Sequence, residues 1–442
     1  MAAWKVGFVT LGCDKNRVDT EYMLGALKQE GYTITDNLDE ADVLIVNTCG
    51  FIDAAVEESV YTIMDLAEKK EDACCRALIV TGCLAQRYRD TLEAEIPEID
   101  ALVGTGDFGQ INQVVKKVLE GEKVAEVGVP EKAGEWSGTR FLTTPVHSTY
   151  VKIAEGCNKT CTFCVIPRLR GRYRSRQPEE IEKEVRWLVR QGTREVNLVA
   201  QDVTRYGRDL PDGTDLPGLL KRLARVDGLK WIRLLYASPE GVTDELLEVV
   251  ASEDKVCRYL DLPIQHGSPR ILKEMGRPSD PEGLMARIDE IRKAVPGISL
   301  RTSLIVGFPG ETEREFQDLL DFIDEASFDY AGFFIYSPEE GTPAGGRKDQ
   351  VPVAVKEERY DRAMEHQRLI TRRRNARWVG QRVPVLIDEA SGNELVGRTQ
   401  GQAPEVDGQV LLGGRTGRVG AIVMARIQGV LDYDLVGEII EL

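Results

Sequence analysis

Histidine is scarce in this chain: His147, His266 and His366 are all there is in 442 residues. A mixed Cys/His zinc site therefore has little to draw on. Long apolar runs are absent too. Runs such as Val43–Val46 fall far short of the about 20 residues a membrane helix needs. Met1–Val9 holds one Lys and no long apolar segment, so neither a signal peptide nor membrane association is expected, and the expected location is cytoplasmic. Positive charge is in deficit, with 57 Lys and Arg against 73 Asp and Glu, for a formal net charge of −16. Such a chain has no overall pull on nucleic acid and attracts a basic partner instead. An even set of cysteines is also missing. Nine thiols without an export signal fit reduced, metal-binding or catalytic roles rather than a disulfide framework.

What is present begins with size. A chain of 442 residues that is 42% hydrophobic can build real cores, and its length suggests about three domains. The most informative stretch is Cys157-Asn158-Lys159-Thr160-Cys161-Thr162-Phe163-Cys164, with spacing C-x3-C-x2-C. Thiolates are soft ligands that suit iron–sulfur clusters or zinc. A structural zinc site and a fully ligated cubane each want four protein ligands. Three thiols in one loop can hold three corners of a cubane and leave the fourth iron open. The bland alternative is a zinc knuckle with a distant fourth ligand.

Residues 1–130 alternate between strand and helix patterns. Lys5–Thr10, Val43–Asn47, Ala77–Thr81 and Ala101–Thr105 read as buried parallel strands, apolar on both faces. Thr20–Glu30, Asp53–Lys69, Leu84–Glu95 and Gln110–Leu119 read as helices, giving an open doubly wound sheet. The three main strands each run into a cysteine: Cys13, Cys49 and Cys83. Parallel strands open their C-terminal ends onto one edge, where ligands bind, so these thiols should converge. The helices that follow are expected to favour the thiolate form. The reading is a second three-cysteine metal site; the alternative is three buried small apolar side chains. Cys74 and Cys75 read as incidental and Cys257 as packing.

Together these motifs resemble known enzymes. C-x3-C-x-Φ-C with Phe163 looks like the signature of the radical S-adenosylmethionine (SAM) enzymes. In that family the open iron is chelated by SAM, which is cleaved to a 5′-deoxyadenosyl radical. A three-cysteine domain ahead of it is similar to the methylthiotransferases. Leu11-Gly12-Cys13-x-Lys15-Asn16-x-Val18-Asp19 and Asn47-Thr48-Cys49-Gly50-Phe51-Ile52-Asp53-Ala54-Ala55 resemble their ribosomal-protein (RimO-type) branch. Asp14 departs from the proline that this branch often carries, next to a ligand position without being one.

After a linker at Gly128–Thr144, residues 140–375 give six strand–helix units, with strands near Thr149–Ala154, Glu195–Ala200, Trp231–Tyr236, Tyr259–Pro263, Ser299–Val306 and Gly332–Tyr336. The resemblance implies a partial (β/α)6 radical-SAM barrel whose cluster loop follows the first strand. It also implies SAM-side roles for Gln201, Gln265 and the Gly307–Gly310 turn, with Phe163 either contacting adenine or packing beneath the loop. His266 is as well read as a structural residue. Arg168-x-Arg170-Gly171-Arg172-Tyr173-Arg174-Ser175-Arg176 is a basic run that fits a carboxylate-bearing substrate, RNA phosphates, or pairing with nearby acids.

Lys356–Trp378 is a charged connector helix, and residues 376–442 switch to strand periodicity with Gly-rich turns. They read as a small all-β barrel resembling a TRAM domain, an OB-like fold. From Gly380 onward five arginines face nine acids, a balance of −4. That suits a basic protein partner better than RNA, whose contact would be secondary; a neutral structural barrel is the alternative. The resemblance implies two 4Fe-4S clusters, at Cys13, Cys49, Cys83 and at Cys157, Cys161, Cys164, with SAM as co-substrate. It implies methylthiolation of the β-carbon of an aspartate in a small ribosomal subunit protein, served by sulfur-carrier and electron-donor proteins. The rival substrate is a tRNA adenosine; the rival from another class is a non-catalytic iron–sulfur scaffold or electron carrier.

Overall fold

The computed structural model describes every residue except 1–3, 73–74, 131–135, 137, 393, 414–416 and 442. Cys74, part of the Gly128–Thr144 linker and Arg415 of the charge count lie outside the described residues. No described helix is long and apolar enough to cross a membrane. The chain divides into two compact units: Met1–Thr143, Glu155–Arg174 and Ser337–Gly345 in one, and Thr144–Ala154, Ser175–Tyr336 and Gly346–Leu442 in the other.

The first unit is built on a six-stranded sheet. Its strands are β1 (Lys5–Thr10), β2 (Thr33–Thr35), β3 (Val43–Thr48), β4 (Ala77–Gly82), β5 (Ala101–Val103) and β6 (Val124–Glu126), in the order β2-β1-β3-β4-β5-β6 and parallel throughout. β3 and β4 are buried along their whole length, which is why their sequences are continuously apolar until the polar strand ends. Val46, Val80, Leu78 and Leu102 join Ile63 and Leu66 of the following helix in one hydrophobic core. The strand order reverses between β1 and β3, the switch point where doubly wound sheets bind ligands. Helices α1 (Asp14–Gln29), α2 (Asp53–Asp72) and α3 (Cys83–Arg87) follow the three cysteine-bearing strand ends. Helix α4 (Ile166–Arg170) closes the C-x3-C-x2-C loop.

Two helical expectations are corrected. α1 starts at Asp14 rather than Thr20, because its first turns bury Lys15, Asn16, Asp19 and Glu21, polar residues that an apolar pattern misses. Leu84–Glu95 is two helices, interrupted where Tyr88 leaves helical geometry (φ −124°, ψ 33°).

The second unit holds two three-stranded parallel sheets. One is β7 (Ser148–Lys152), β8 (Glu195–Val199) and β9 (Trp231–Leu234), in the order β9-β8-β7; the other is β10 (Tyr259–Asp261), β11 (Ser299–Val306) and β12 (Tyr330–Ile335), in that order. The Cys257 N–H donates to the Ile232 carbonyl at 2.9 Å and the Ala237 N–H to the Asp261 carbonyl at 2.8 Å, joining them into one open six-stranded barrel. Helix α5 (Val353–Asn375) leads to a closed five-stranded barrel of β13 (Arg382–Ser391), β14 (Glu394–Arg398), β15 (Val410–Gly413), β16 (Ile422–Leu431) and β17 (Asp434–Glu441), ordered β13-β14-β15-β17-β16. Its core is Val385, Ile387, Leu395, Val410, Val423, Ile427 and Leu435.

A buried ladder of charge ties the small barrel to the larger one. Glu195 on β8, fully buried, takes Arg233 on one oxygen (2.9 Å) and Arg398 of β14 on the other (2.8 Å). Arg398 also grips Asp388 of β13, whose carboxylate meets His147 at 2.9 Å.

Candidate metal centres and cofactor site

The first thiol trio forms where β1, β3 and β4 end. Cys13 sits just before α1, Cys49 between β3 and α2, and Cys83 opens α3. Glycines shape the site. Gly12 has φ +86°, and a Cβ there would stand 2.9 Å from Cys49 Cβ and 3.3 Å from Cys49 Sγ. Gly82 has φ +97°, and a Cβ there would strike the Thr48 carbonyl oxygen at 2.6 Å. Only glycine lets these backbones turn and approach so closely. Asn16, fully buried, donates from Nδ2 to the carbonyls of Leu11 (3.1 Å) and Thr48 (3.0 Å), while its Oδ1 stands 3.8 Å from Cys83 Sγ. Asn47 and Ser59 brace the same place, the latter through both the N–H and the carbonyl of Cys49.

Exposure falls across the trio: Cys13 is exposed, Cys49 half-buried and Cys83 buried. Burial, then repulsion from Cys83, pushes the Cys49 thiol up to about 12, despite Arg170 nearby. Burial likewise raises Cys83, against the pull of Arg170. At Cys49 and Cys83 the helix N-termini therefore do not set the thiolate form as expected; desolvation of a charge outweighs them. A metal would supply the missing positive charge, since a coordinating thiol is deprotonated outright. The soft donor set, the mutual repulsion of the thiols and the glycine-cleared space fit a bound iron–sulfur cluster.

The second trio lies in one loop of the same compact unit. Cys157, Cys161 and Cys164 are all half-buried, as is Phe163 between them. The Lys159 N–H points at Cys157 Sγ (3.4 Å) and the Ile166 N–H at Cys164 Sγ (3.5 Å), contacts of the kind that tune cluster sulfurs. The Ala344 N–H donates to Thr162 at 3.0 Å, and Glu339 of the same segment pairs with Arg87 of α3 at 2.6 Å. Cys83 packs with Val165 and Leu169 in a small hydrophobic cluster beside Phe51, so the two trios share one neighbourhood. Among the described residues no three His, Cys, Asp or Glu side chains converge on a single ion position. A cubane asks for less convergence, since each thiol binds its own iron.

The basic run resolves mostly into internal pairing. Arg170 is buried against Asp19 and Glu155, and Arg176 against Glu184 at 2.6 Å. Arg174 donates to the carbonyls of Arg170, Arg172 and Pro130, and Arg168 lies over Gly341. Arg168 and Arg172 remain exposed.

In the second unit the SAM-side candidates sit at strand C-termini. Gln201 follows β8 and is half-buried. Gln265 follows β10 with φ +81°, and its backbone bonds Ser303 (3.0 Å) and Ile305 (2.8 Å). Tyr236, after β9, also has a positive φ of 63°. Non-glycine residues held there mark sites where the surroundings impose the conformation. Composition and periodicity gave no sign of Tyr236. The Gly307 and Phe308 N–H groups both point at Glu311 Oε2 (2.9 and 3.2 Å), and the Gly310 N–H at the Asp349 carbonyl (2.7 Å). These donors are thus spent within the fold, which leaves only the carbonyls and shape of the turn for a ligand. His266 is structural: Nδ1 accepts from the Ser268 N–H at 2.9 Å, which leaves Nε2 facing Glu311 at 3.3 Å. Cys257 is buried in packing, and burial pushes its thiol up to about 12. Cys75 is also buried, its thiol directed at the Ala77 carbonyl.

Comparison with known proteins matches three family models in order. Residues 5–104 match the "Uncharacterized protein family UPF0004", 151–323 the radical SAM superfamily and 379–440 the TRAM domain. The structure of TsrM from Kitasatospora setae, a radical S-adenosylmethionine methyltransferase with cobalamin and a [4Fe-4S] cluster bound, shares the fold at TM-score 0.57 and 16% identity, over 78% of this chain and 74% of that one. Fold and cysteine loop together define the class, a radical SAM enzyme. The ribosomal protein uS12 methylthiotransferase RimO of Geobacter sulfurreducens is 50% identical over 99% of this chain and 98% of its own, and that of Symbiobacterium thermophilum 49% identical over 99% and 91%. The chain belongs to this methylthiotransferase family.

Proposed function

We propose that this chain methylthiolates the β-carbon of an aspartate in ribosomal protein uS12, with SAM as co-substrate. The observation that carries the reading is that Cys83 of one thiol trio packs against Val165 and Leu169, which follow the other trio in the same compact unit. Cys157, Cys161 and Cys164 would hold a radical-SAM 4Fe-4S cluster, and Cys13, Cys49 and Cys83 a second one. When bound, such clusters supply one-electron chemistry and sulfur, which an unactivated C–H bond requires because no side-chain base can deprotonate it.

The chain's own residues position and shield. Gly12 and Gly82 clear the space between the strand-end thiols. Lys159 and Ile166 direct N–H groups at two sulfurs of the loop. Glu311 fixes the Gly307–Gly310 turn, and Gln201, Gln265 and Phe163 stand as SAM-side residues. The division into an N-terminal domain (1–130), a radical-SAM domain (140–375) and a TRAM domain (376–442) goes with this reading. So do a cytoplasmic location, protein donors of sulfur and electrons, and only secondary contact with RNA. The acidic balance of the last domain favours a basic protein target.

The test is to reconstitute the protein anaerobically and incubate it with SAM, reductant and either 30S subunits or tRNA. Methylthiolated uS12 is expected; methylthio-adenosine with unmodified uS12 would assign the tRNA substrate instead. Substituting Ala for Cys157, Cys161 and Cys164 together should remove about half the iron, since each trio holds its own cluster. Loss of all iron, or of none, would refute two independent sites.

A further inference from the structure

Arg170 ends the short helix behind the C-x3-C-x2-C loop, yet its partners belong largely to the other trio. It is 2% exposed. Nη1 donates to Asp19 Oδ2 at 2.7 Å and Glu155 Oε2 at 3.2 Å, and Nη2 donates to Asn16 Oδ1. Asn16 in turn holds the carbonyls of Leu11 and Thr48, which lead into Cys13 and Cys49, and its Oδ1 faces Cys83 Sγ. One amide thus touches all three strand ends, and one guanidinium fastens that amide to the other cysteine loop.

Docking alone would not require this. Burying a guanidinium with two carboxylates is costly, and apolar packing of similar volume often does as well or better. The planar fork adds direction: it fixes an angle as well as a distance. We infer that Arg170, acting through Asn16, is a positioning residue that sets how the two thiol trios stand relative to each other. The inference rests on the proposed two-cluster reading.

The test uses Arg170→Met and Arg170→Lys in the full chain. In the metal-free protein, alkylation of Cys83 is followed by mass spectrometry, with Cys75, buried in the core of the same unit, as the gauge of that unit's unfolding. Arg170→Met should speed Cys83 labelling by at least about tenfold, the factor that one charged hydrogen bond is worth, and leave Cys75 protected. In the reconstituted enzyme the ratio of 5′-deoxyadenosine to methylthiolated uS12 should rise by about the same factor. Arg170→Lys should restore most of the Cys83 protection but not the ratio, since an ammonium lacks the fork. Unchanged labelling and ratio in Arg170→Met would overturn the inference, as would full recovery of the ratio by lysine. If Cys75 also labels in Arg170→Met, Arg170→Lys decides on the same two readouts. Wild-type protein that releases 5′-deoxyadenosine but never modifies uS12 would instead sink the functional reading, while Cys83 labelling would still judge Arg170.

Discussion

Gly12 is where the first thiol trio is most sensitive to a single carbon atom. Its φ of +86° disfavours any side chain, and the added methyl of Gly12→Ala would meet Cys49 2.9 Å from its Cβ. A left-handed conformation alone costs an L residue about 1–2 kcal/mol. Gly12→Ala should therefore lower stability by about that much or more and reduce bound iron towards half, read by denaturant titration and iron assay. The sequence made the cysteines themselves legible, because three strands ending in the same residue type is a positional regularity. Arg170 and Asn16 were less legible. An arginine within a basic run looks solvated, and only the fold carries it to Asp19 and Asn16.

At the scale of single elements, the Gly307–Gly310 turn depends on a residue just outside it. Glu311 collects the Gly307 and Phe308 N–H groups on one oxygen, and Arg359 of α5 pairs with the other at 2.8 Å. Glu311→Gln keeps an acceptor but loses the charge. It should destabilise by about 1.5–3 kcal/mol, the worth of charge-assisted hydrogen bonds, and weaken SAM binding measured by equilibrium dialysis. Elements whose periodicity matched their burial were easily read: β3 and β4 are buried throughout and apolar almost throughout. The start of α1 escaped because its inward face is Lys15, Asn16, Asp19 and Glu21. The edge strands β2 and β6 escaped because three half-exposed residues carry almost no pattern.

For the whole molecule, the doubly wound sheet, the six strand–helix units and the small all-β barrel followed from where periodicity changes along the chain, while the partial barrel came only from the resemblance to radical-SAM enzymes. The charge ladder joining the last two did not, since its members are scattered from His147 to Arg398. Burial alone would raise the Glu195 carboxyl, but Arg398 and Arg233 outweigh it and bring it down to about 2. An unfolded Glu titrates near about 4.3, so this stabilisation is complete above that pH and is lost as pH falls towards about 2. It amounts to about 3 kcal/mol. Denaturant midpoints of the metal-free protein should drop across that window, and Glu195→Gln should flatten the drop while lowering stability at neutral pH.

The same ladder means that the C-terminal barrel is no interchangeable cassette. A chimaera that transplants a foreign one without its own counterparts of Arg398 and Asp388 would strand Glu195 and His147 half-matched at the seam. Such a graft should misfold or loosen unless both sides of the seam are exchanged together, so a donor's substrate preference would not travel with the barrel alone.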